Sequence, residues 1–470
     1  MKASYRCAIL LLLPVHLMAA EKPLALHPRN PHYFLFRSQP AILITSAEHY
    51  GAVLNADFDY VKYLDELARH GLNHTRLFSG AYCEDEKAFN IARNTLAPAA
   101  GKFLAPWARS DVPGYANGGN KFDLAKWDEK YFARLKDFLS QAGKRGIVVE
   151  MNLFCPFYED SMWRLSPQNP ANNVQKAGPQ DRLKVYTLDK HGGLLDFHDA
   201  LVKKIAAELN EFDNLYYEVC NEPYFGGVTM AWQHHIVDTI VAVEKELPQR
   251  HLISLNVANG TAKIEKPHPE VSIFNFHYAS PPQAVGENYA LGKVIGDNET
   301  GFKGTGDTPY RREAWEFLLA GGGLYNNLDY SFVVGHEDGT FQYPDKQPGG
   351  GNRGFREQMH ILKDFMYSFD LVRMKPDTTT VKKISSDKVG VTVLSEPGKQ
   401  YAIYAFGGGP LKVTLALPPG GYDVEWVDVM TGKSLGKKDV GPNEDGIVEL
   451  LSPEFTADVA AKVRARGSKP

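Results

Sequence analysis

The chain of 470 residues holds only four cysteines. Cys7 sits in an N-terminal segment discussed below, which leaves Cys83, Cys155 and Cys220. Three thiols allow one disulfide at most, so a disulfide-stapled scaffold is excluded. No Cys-x-x-Cys pair or Cys/His spacing of the zinc type occurs, and no metal is expected. The three thiols are expected to be small buried hydrophobes. A charge excess is also missing: 52 Lys and Arg stand against 56 Asp and Glu, a net of −4. Nothing in that balance suits a polyanion, so nucleic acid is not an expected partner. Long hydrophobic runs are missing too. The run at residues 8–13 is too short to span a bilayer, and no membrane span is expected.

That short run has a different meaning. Lys2 and Arg6 precede it, and Met18-Ala19-Ala20 offers a small-residue cleavage site before Glu21. This is the layout of an export signal, which predicts a mature protein in the periplasm or outside the cell. The remaining length is enough for more than one domain. Aromatics make up 11% of the chain, with 23 Tyr and 25 Phe, a composition that suits stacking on sugar rings without proving it.

Strand-like and helix-like segments alternate from about residue 33 to 370. Residues 33–37 and 41–46 read as a hairpin with its turn at 38–40. Asp57 reads as the cap of a helix bearing Phe58, Val61, Leu64 and Leu67. Further strands are expected at 73–78, 146–153, 215–220, 252–257, 272–276, 293–296 and 323–328. Helices are expected at 131–144, 194–209, 231–247, 310–320 and 355–369. Eight strands with helices between most of them predict an α/β fold, a closed parallel (β/α)8 TIM barrel. Two connections, 79–128 and 154–192, are unusually long. Both follow strands, so they are expected to wall a cleft at the C-terminal rim.

After about residue 376 the pattern changes. Short strands at 389–394, 401–405, 411–415, 422–427 and 447–450, with Gly- and Pro-rich turns between them, predict a small C-terminal β-sandwich. The alternating tail at 458–464 reads as its last strand. The expected division is a signal at 1–20, a catalytic barrel at 21–375 and an accessory sandwich at 376–470.

The sharpest local signal is Asn221-Glu222-Pro223, directly after Tyr216-Tyr217-Glu218-Val219-Cys220. Barrel enzymes carry their catalytic groups at this C-terminal strand end. A carboxyl that protonates a glycosidic oxygen must be kept protonated near neutral pH by burial or a like charge. Asn221 beside it can bond a sugar hydroxyl, and such bonds tighten in an oxocarbenium-like transition state. A strand-end carboxylate paired to a cation is the competing structural reading. The second candidate is Glu299, at the end of Val294-Ile295-Gly296-Asp297-Asn298-Glu299. Hydrolysis with retention needs two carboxyls about 5 Å apart, one protonated and one ionised. Asp297 is a rival for the second role.

Other residues fall on the same rim. Arg76, in Gly71-Leu72-Asn73-His74-Thr75-Arg76, can hold a carboxylate ionised, or can simply tie barrel layers together. His277 and Tyr278 end the sixth strand. Tyr278 is a partner for Glu299, and His277 is either a substrate contact or a core histidine. His49 follows the first strand in Glu48-His49-Tyr50, Asn152 lies on the third, and Tyr325 ends the eighth in Tyr325-Asn326-Asn327. Gly349-Gly350-Gly351-Asn352-Arg353 is a loop without the lysine of a phosphate cradle.

Taken together these motifs resemble clan A retaining glycoside hydrolases, and within them the family 5 cellulase-like group. The resemblance rests on Gly71, Asn73 and Arg76 of strand two, Asn221-Glu222-Pro223 of strand four, His277-Tyr278 of strand six and Glu299 of strand seven, and it spans roughly residues 30–370. It implies Glu222 as acid/base, Glu299 as nucleophile, a carbohydrate substrate and no cofactor. The C-terminal part looks like a sandwich often appended to such proteins and sometimes called collagen-binding. There are departures. Strand three offers Asn152 where a histidine is common, His277 and Tyr278 are adjacent rather than separated, and Tyr325 stands where strand eight commonly has a tryptophan. Two other readings stay open: a barrel that binds carbohydrate without cleaving it, and an adhesion protein acting through the sandwich. The oligomeric state is left open by the sequence.

Overall fold

A computed structural model describes residues 22–189 and 194–467. The segment read as an export signal, Cys7 included, lies outside these residues. Eight parallel strands form the central sheet: Leu43–Ala47, His74–Phe78, Val148–Phe154, Leu215–Cys220, Ile253–Asn259, Ile273–His277, Val294–Thr300 and Leu324–Leu328. They are called strands one to eight in this order. Strand one pairs with strand eight, and the ladder runs unbroken from eight back to two. A side chain closes the remaining seam. Asn73 Oδ1 accepts from the Ile44 N–H at 2.9 Å and its amide donates to the Ile42 carbonyl at 2.8 Å. The chain is thus the closed (β/α)8 barrel expected from the alternation, with helices outside the strands.

The barrel interior is layered. Leu43, Val148, Tyr216, Ile273, Val294 and Leu324 form an apolar floor together with Leu24, Phe34 and Ala41. Phe34 and Ala41 come from a small antiparallel sheet of Ala25–Leu26, Phe34–Phe36 and Gln39–Ala41, which Leu24 directly precedes and which plugs the N-terminal mouth. Above this floor the inward positions turn polar: Arg76, Glu150, Asn152, Glu218, Asn275, Asn298 and Asn326 are all buried. Their alternation with outward apolar residues is the period of two that every strand imposes. Strand seven carries Gly296 in this region because a Cβ there would lie 2.3 Å from Asn275 Oδ1.

Several local expectations are corrected. The hairpin's second arm is Gln39–Ala41, not the longer segment expected, because Arg37 (φ 47°) and Ser38 (φ 64°) make a tight two-residue left-handed turn. Residues 43–47 are barrel strand one. Asp59, not Asp57, caps helix Tyr60–Arg69, accepting from Val61 N and Lys62 N, while Asp57 takes the Lys102 ammonium. The long connection after strand two is not structureless: Trp107–Pro113 and Asn120–Trp127 pair as a hairpin. The connection after strand three holds helix Asp160–Leu165. Cys83, Cys155 and Cys220 are free and buried. Burial pushes the Cys83 thiol up to about 12, which makes it unreactive.

The C-terminal part is a sandwich. One sheet runs in the order Lys375–Pro376, Gly390–Glu396, Gln400–Phe406, Asp458–Ala465, Tyr422–Val427, Ser434–Val440. The other holds Val381–Ile384, Lys412–Ala416 and Ile447–Leu451. Strand Ser434–Val440 escaped the sequence reading because nearly all its side chains are exposed, so no apolar alternation marks it. The alternating tail is a strand as expected, but it lies inside its sheet, between Gln400–Phe406 and Tyr422–Val427. The sandwich is bolted to barrel helix Asp307–Leu319. Arg311 grips Asp458 with two bonds of 2.7 and 2.9 Å, Tyr404 donates to the same carboxylate at 2.8 Å, and Trp315 stacks on Tyr404. A buried bidentate pair of this kind is geometrically demanding and favours one fixed orientation.

Candidate active site

The C-terminal rim holds a small hollow lined by His49, Tyr50, Phe78, Glu84, Phe89, Leu96, Cys155, Tyr158, Asn221, Glu222, Tyr278, Glu299 and Phe302. Both candidate glutamates therefore open into one pocket. Together with His277 they offer atoms that all lie within 4.8 Å of one another.

Strand four ends at Cys220, and Glu222 follows with φ 36°, a strained left-handed value for a residue with a side chain. Tyr50, Tyr278, Phe89 and Phe302 also have φ between 53° and 62°. Such strain, of order 1–3 kcal/mol per residue, persists only where the surroundings over-determine it, and it clusters at functional sites. Glu299 reaches the pocket by a different device. The pairing of strand seven with both neighbours shifts register near Asn298–Glu299. This bulge re-aims the side chains, so that Asn298 points into the barrel and Glu299 toward the rim. Asp297 faces away, beside Glu313. Burial, and then the Glu313 charge, raises its carboxyl well above the usual range. Asp297 does not line the pocket, whereas Glu299 does.

Four tyrosines hold the two glutamates. Tyr158 donates to Glu222 Oε2 at 2.6 Å and Tyr224 to Oε1 at 3.3 Å. Tyr278 donates to Glu299 Oε1 at 2.6 Å and Tyr50 to Oε2 at 3.2 Å. His277 stands between them, Nδ1 being 3.1 Å from Glu222 Oε1 and 3.6 Å from Glu299 Oε1. Arg76 lies below. It bonds Glu150 at 2.6 Å, Asn221 Oδ1 at 2.8 Å and Glu299 Oε2 at 3.3 Å, and it also bonds Glu218. Asn298 bridges Glu150 and Glu218, at 2.8 Å to each.

The electrostatics follow from this crowding. One guanidinium faces three carboxylates. Burial pushes Glu218 up to about 8, against the pull of Arg76. Burial raises Glu150, but the Arg76 and His74 charges and the bonds of Tyr216 and Glu218 together outweigh it and lower the carboxyl. Burial raises Glu222, but the bond and charge of His277, then the tyrosine bonds, outweigh it and hold the carboxyl below its usual range. His277 is the converse case: burial lowers it, and the charges of Glu299 and Glu222 raise it above its ordinary value. Both directions favour the charged pair, His277 as a cation beside the Glu222 carboxylate.

This contact has a pH signature. The stability due to raised His277 is complete below 6.5 and is lost as pH rises through its folded value. That due to lowered Glu222 is complete above 4.5 and is lost as pH falls through its folded value. The contact is fully formed between those limits. His277→Asn should lower the melting temperature most near pH 5.5 and progressively less toward pH 9, as thermal melts across pH would read. An equal loss at every pH would mean that His277 is only a packing residue.

Other predicted residues fall elsewhere. Asn221 lines the pocket, with Nδ2 donating to Tyr158 at 2.7 Å. His49 also lines it, stacked on Tyr50. Asn152 does not. It lies below, donating to Glu218 at 3.2 Å. His277 is fully buried, bonded to Glu222 and close to Glu299. Tyr325 faces outward from strand eight and donates to the Tyr310 carbonyl at 2.8 Å, because alternation turns Leu324 and Asn326 inward instead. Glu48 is a tie for the loops: its carboxylate accepts from Gly51 N, Ala52 N and the Thr95 hydroxyl.

The residues missed are Tyr50, Tyr158, Tyr224, Glu84, Phe89, Phe302, Glu150 and Glu218. Tyr50 and Tyr224 were within two residues of a motif, and Glu150 and Glu218 are charges inside apolar strands, so each carried a signal. Tyr158, Glu84 and Phe89 come from the two long loops and carried none. The cluster of Glu222, His277 and Glu299 has spacing that admits a cation. Its carboxylates, however, already accept from four tyrosines, Arg76 and His277, so a metal would have to displace built-in donors.

Residues 85–300 match the family model for cellulase (glycosyl hydrolase family 5). No curated protein matches the chain. Among solved structures, a candidate glycoside hydrolase from Bacteroides vulgatus ATCC 8482 is 14% identical, with a TM-score of 0.66 over 95% of this chain and 82% of that one. A family 5 glycoside hydrolase from the same organism is 13% identical, with a TM-score of 0.65 over 95% and 94%. A third, a glycoside hydrolase, is 15% identical, with a TM-score of 0.65 over 95% and 98%. At such identities the structures bear on the fold, and their coverage takes in barrel and sandwich alike. With the family match on the barrel, the protein carries a family 5 cellulase-like domain and is a glycosidase.

Proposed function

We propose that the protein is an exported retaining β-glycosidase in which Glu299 is the nucleophile and Glu222 the acid/base. The observation that carries this reading is the pairing of two carboxylates in one pocket, with oxygens within 4.8 Å of each other. That spacing suits direct attack by one carboxylate; an inverting pair stands about 6.5–9.5 Å apart to admit a water. Glu299, held by Arg76, Tyr50 and Tyr278, attacks the anomeric carbon. Glu222 protonates the leaving oxygen and then deprotonates the water that releases the glycosyl enzyme. Its proton comes from His277. A sugar in the pocket displaces water from Glu222, which raises the cost of its charge and moves the proton across the 3.1 Å contact. Asn221, held by Arg76 and Tyr158, bonds a hydroxyl of the sugar. The export signal at residues 1–20 supports action outside the cytoplasm. The Arg311–Asp458 clamp supports the region from residue 376 onward as a brace for the barrel rather than an adhesion module.

Proton NMR of aryl β-glycoside hydrolysis tests the stereochemistry. The first-formed sugar should be the β-anomer, with the α-anomer growing only by mutarotation. The α-anomer appearing first would mean inversion and would remove the nucleophile role of Glu299.

A further inference from the structure

An unbroken line of rings crosses the C-terminal rim, and most of it faces solvent. It starts just after Glu222 with Tyr224 and Phe225, whose rings lie 5.1 Å apart. Phe225 meets Tyr158 at 5.7 Å, Tyr158 meets Phe89 at 5.3 Å, and Phe89 meets Phe302 at 6.4 Å. Phe302 ends the line against Tyr278 at 6.2 Å. Phe89, Tyr224, Phe225 and Phe302 are 37–45% exposed, so they are not there to fill the core. Leu183 is exposed too, and its carbonyl lies close against Gly227, which adds apolar surface beside that segment. Large apolar side chains grouped in this way on a surface mark a binding site, whereas single ones are ordinary.

Glu222 sets the place of this line in the reaction. An acid that protonates the leaving oxygen lies against that oxygen, so the group the oxygen carries lies on the Glu222 side. Tyr224 and Phe225 belong to the same strand-end segment, and Tyr158 bonds Glu222 itself. The chemistry offered there is apolar. Phenylalanine rings carry no donor or acceptor, and the two hydroxyls on this side are already engaged: Tyr158 with Glu222 and Asn221, Tyr224 with Glu222 and Asn259. A sugar in this position finds few partners for its hydroxyls, whereas a hydrocarbon is matched. The ring planes agree. They are inclined at 56° for Tyr224–Phe225 and for Tyr158–Phe225, 86° for Phe89–Tyr158 and 81° for Phe89–Phe302. Rings set at such angles make a trough, not the flat platform on which a pyranose stacks. The space directly between the glutamates is about 60 Å³, room for a few waters at roughly 10–15 Å³ each. The reacting sugar therefore enters by parting the rings above it, and Phe89 and Phe302, exposed and carried on loops, are the ones placed to yield. An apolar leaving group replaces the ring contacts they give up; a hydrated one does not.

We propose that the leaving-group site of this enzyme, built on Phe225, Tyr158, Phe89 and Phe302, takes an apolar aglycone, a hydrocarbon chain joined to the sugar through the glycosidic oxygen, in preference to a further sugar unit. The net reaction is hydrolysis. The bond between the anomeric carbon and the glycosidic oxygen breaks, the aglycone leaves as an alcohol with the proton from Glu222, and water supplies the new hydroxyl while returning a proton to Glu222. The proposal rests on Glu222 and Glu299 as the catalytic pair, and its test separates the two.

The full-length protein is assayed with methyl, butyl and octyl β-glycosides of glucose, mannose, galactose and xylose, each below the concentration at which it forms micelles. The β-1,4-linked disaccharide and the dinitrophenyl β-glycoside of each sugar are run alongside, and released sugar is measured by chromatography. Methanol, butanol and octanol are leaving groups of similar acidity, so a rise along the series reports contact with the chain and not easier chemistry. On the sugar that is turned over, kcat/KM should rise about 30-fold or more from methyl to octyl, against a ceiling of about 4-fold for each fully buried methylene. The disaccharide should fall below the octyl glycoside. Phe225→Ala should flatten the rise by about 10-fold. A flat alkyl series, a disaccharide cleaved faster than the octyl glycoside, or cleavage of dinitrophenyl glycosides alone would overturn the apolar site and leave the catalytic pair standing. Cleavage of none of these substrates would bring down both. The series on the unaltered protein decides the matter even if the variant does not fold.

Discussion

Glu299→Gln is expected to lower turnover of an aryl β-glycoside by about 10⁴-fold or more, the scale seen when a nucleophile is removed from a covalent mechanism. The amide keeps the size of the side chain and can still contact Tyr50 and Tyr278, so the fold and pocket should survive. Glu222→Ala should behave differently, and the difference identifies the roles. An acid is needed only when the leaving group is a poor one. With a dinitrophenyl leaving group, formation of the glycosyl enzyme should persist while its hydrolysis slows by about 10²–10⁴-fold. The expected trace is a burst of phenol followed by a slow steady state. Added azide, which needs no general base, should restore turnover and yield a β-glycosyl azide. The same burst from Glu299→Gln, or near-normal turnover in either variant, would overturn the assignment.

Arg76→Ala is expected to cost about 3–5 kcal/mol of stability, the range for removing one partner from a buried ion pair. Arg76 is fully buried, and it bonds Glu150, Glu218, Asn221 and Glu299 together. Without it, carboxylates that cannot reach water must take up protons or stay unpaired. Chemical denaturation should show a lower midpoint, and the deficit should shrink as pH falls, because protonation removes the repulsion. Arg76→Lys should recover little, since an ammonium cannot present a planar fork in several directions at once. A deficit below about 1 kcal/mol would show that the carboxylates neutralise one another without the guanidinium, and would leave Arg76 as an orienting residue for Glu299 alone.

Much of this arrangement was readable along the chain, and the reason lies in local periodicity. Apolar strands alternating with amphipathic helices announce a barrel, because each strand must be covered on its outer face. Glu222 was legible because it follows such a strand directly, where barrels expose their side chains. Tyr325 was misplaced because its strand was read for where it ends, not for which residues its alternation turns inward. Asn152 was drawn to the pocket by a resemblance, although it lies one layer too deep. Asp57 was taken for a cap that Asp59 provides two residues later. The hairpin inside the long loop after strand two went unseen because its strands, partly exposed, lack a clean alternation.

The sequence by itself determined the barrel, the sandwich and the two strand ends that carry Glu222 and Glu299. These depend on patterns within a few residues of one another, set by the pitch of a helix and the pleat of a strand. Only the tertiary structure decided which of Asp297 and Glu299 faces the pocket, since a bulge against both neighbouring strands makes that choice. It also decided which tyrosines hold the glutamates, and that Phe89 and Phe302, from loops far apart in the chain, line the same pocket. Those outcomes depend on groups dozens to hundreds of residues apart meeting at one end of a barrel. Their burial and charge exist only once the ring of strands has closed.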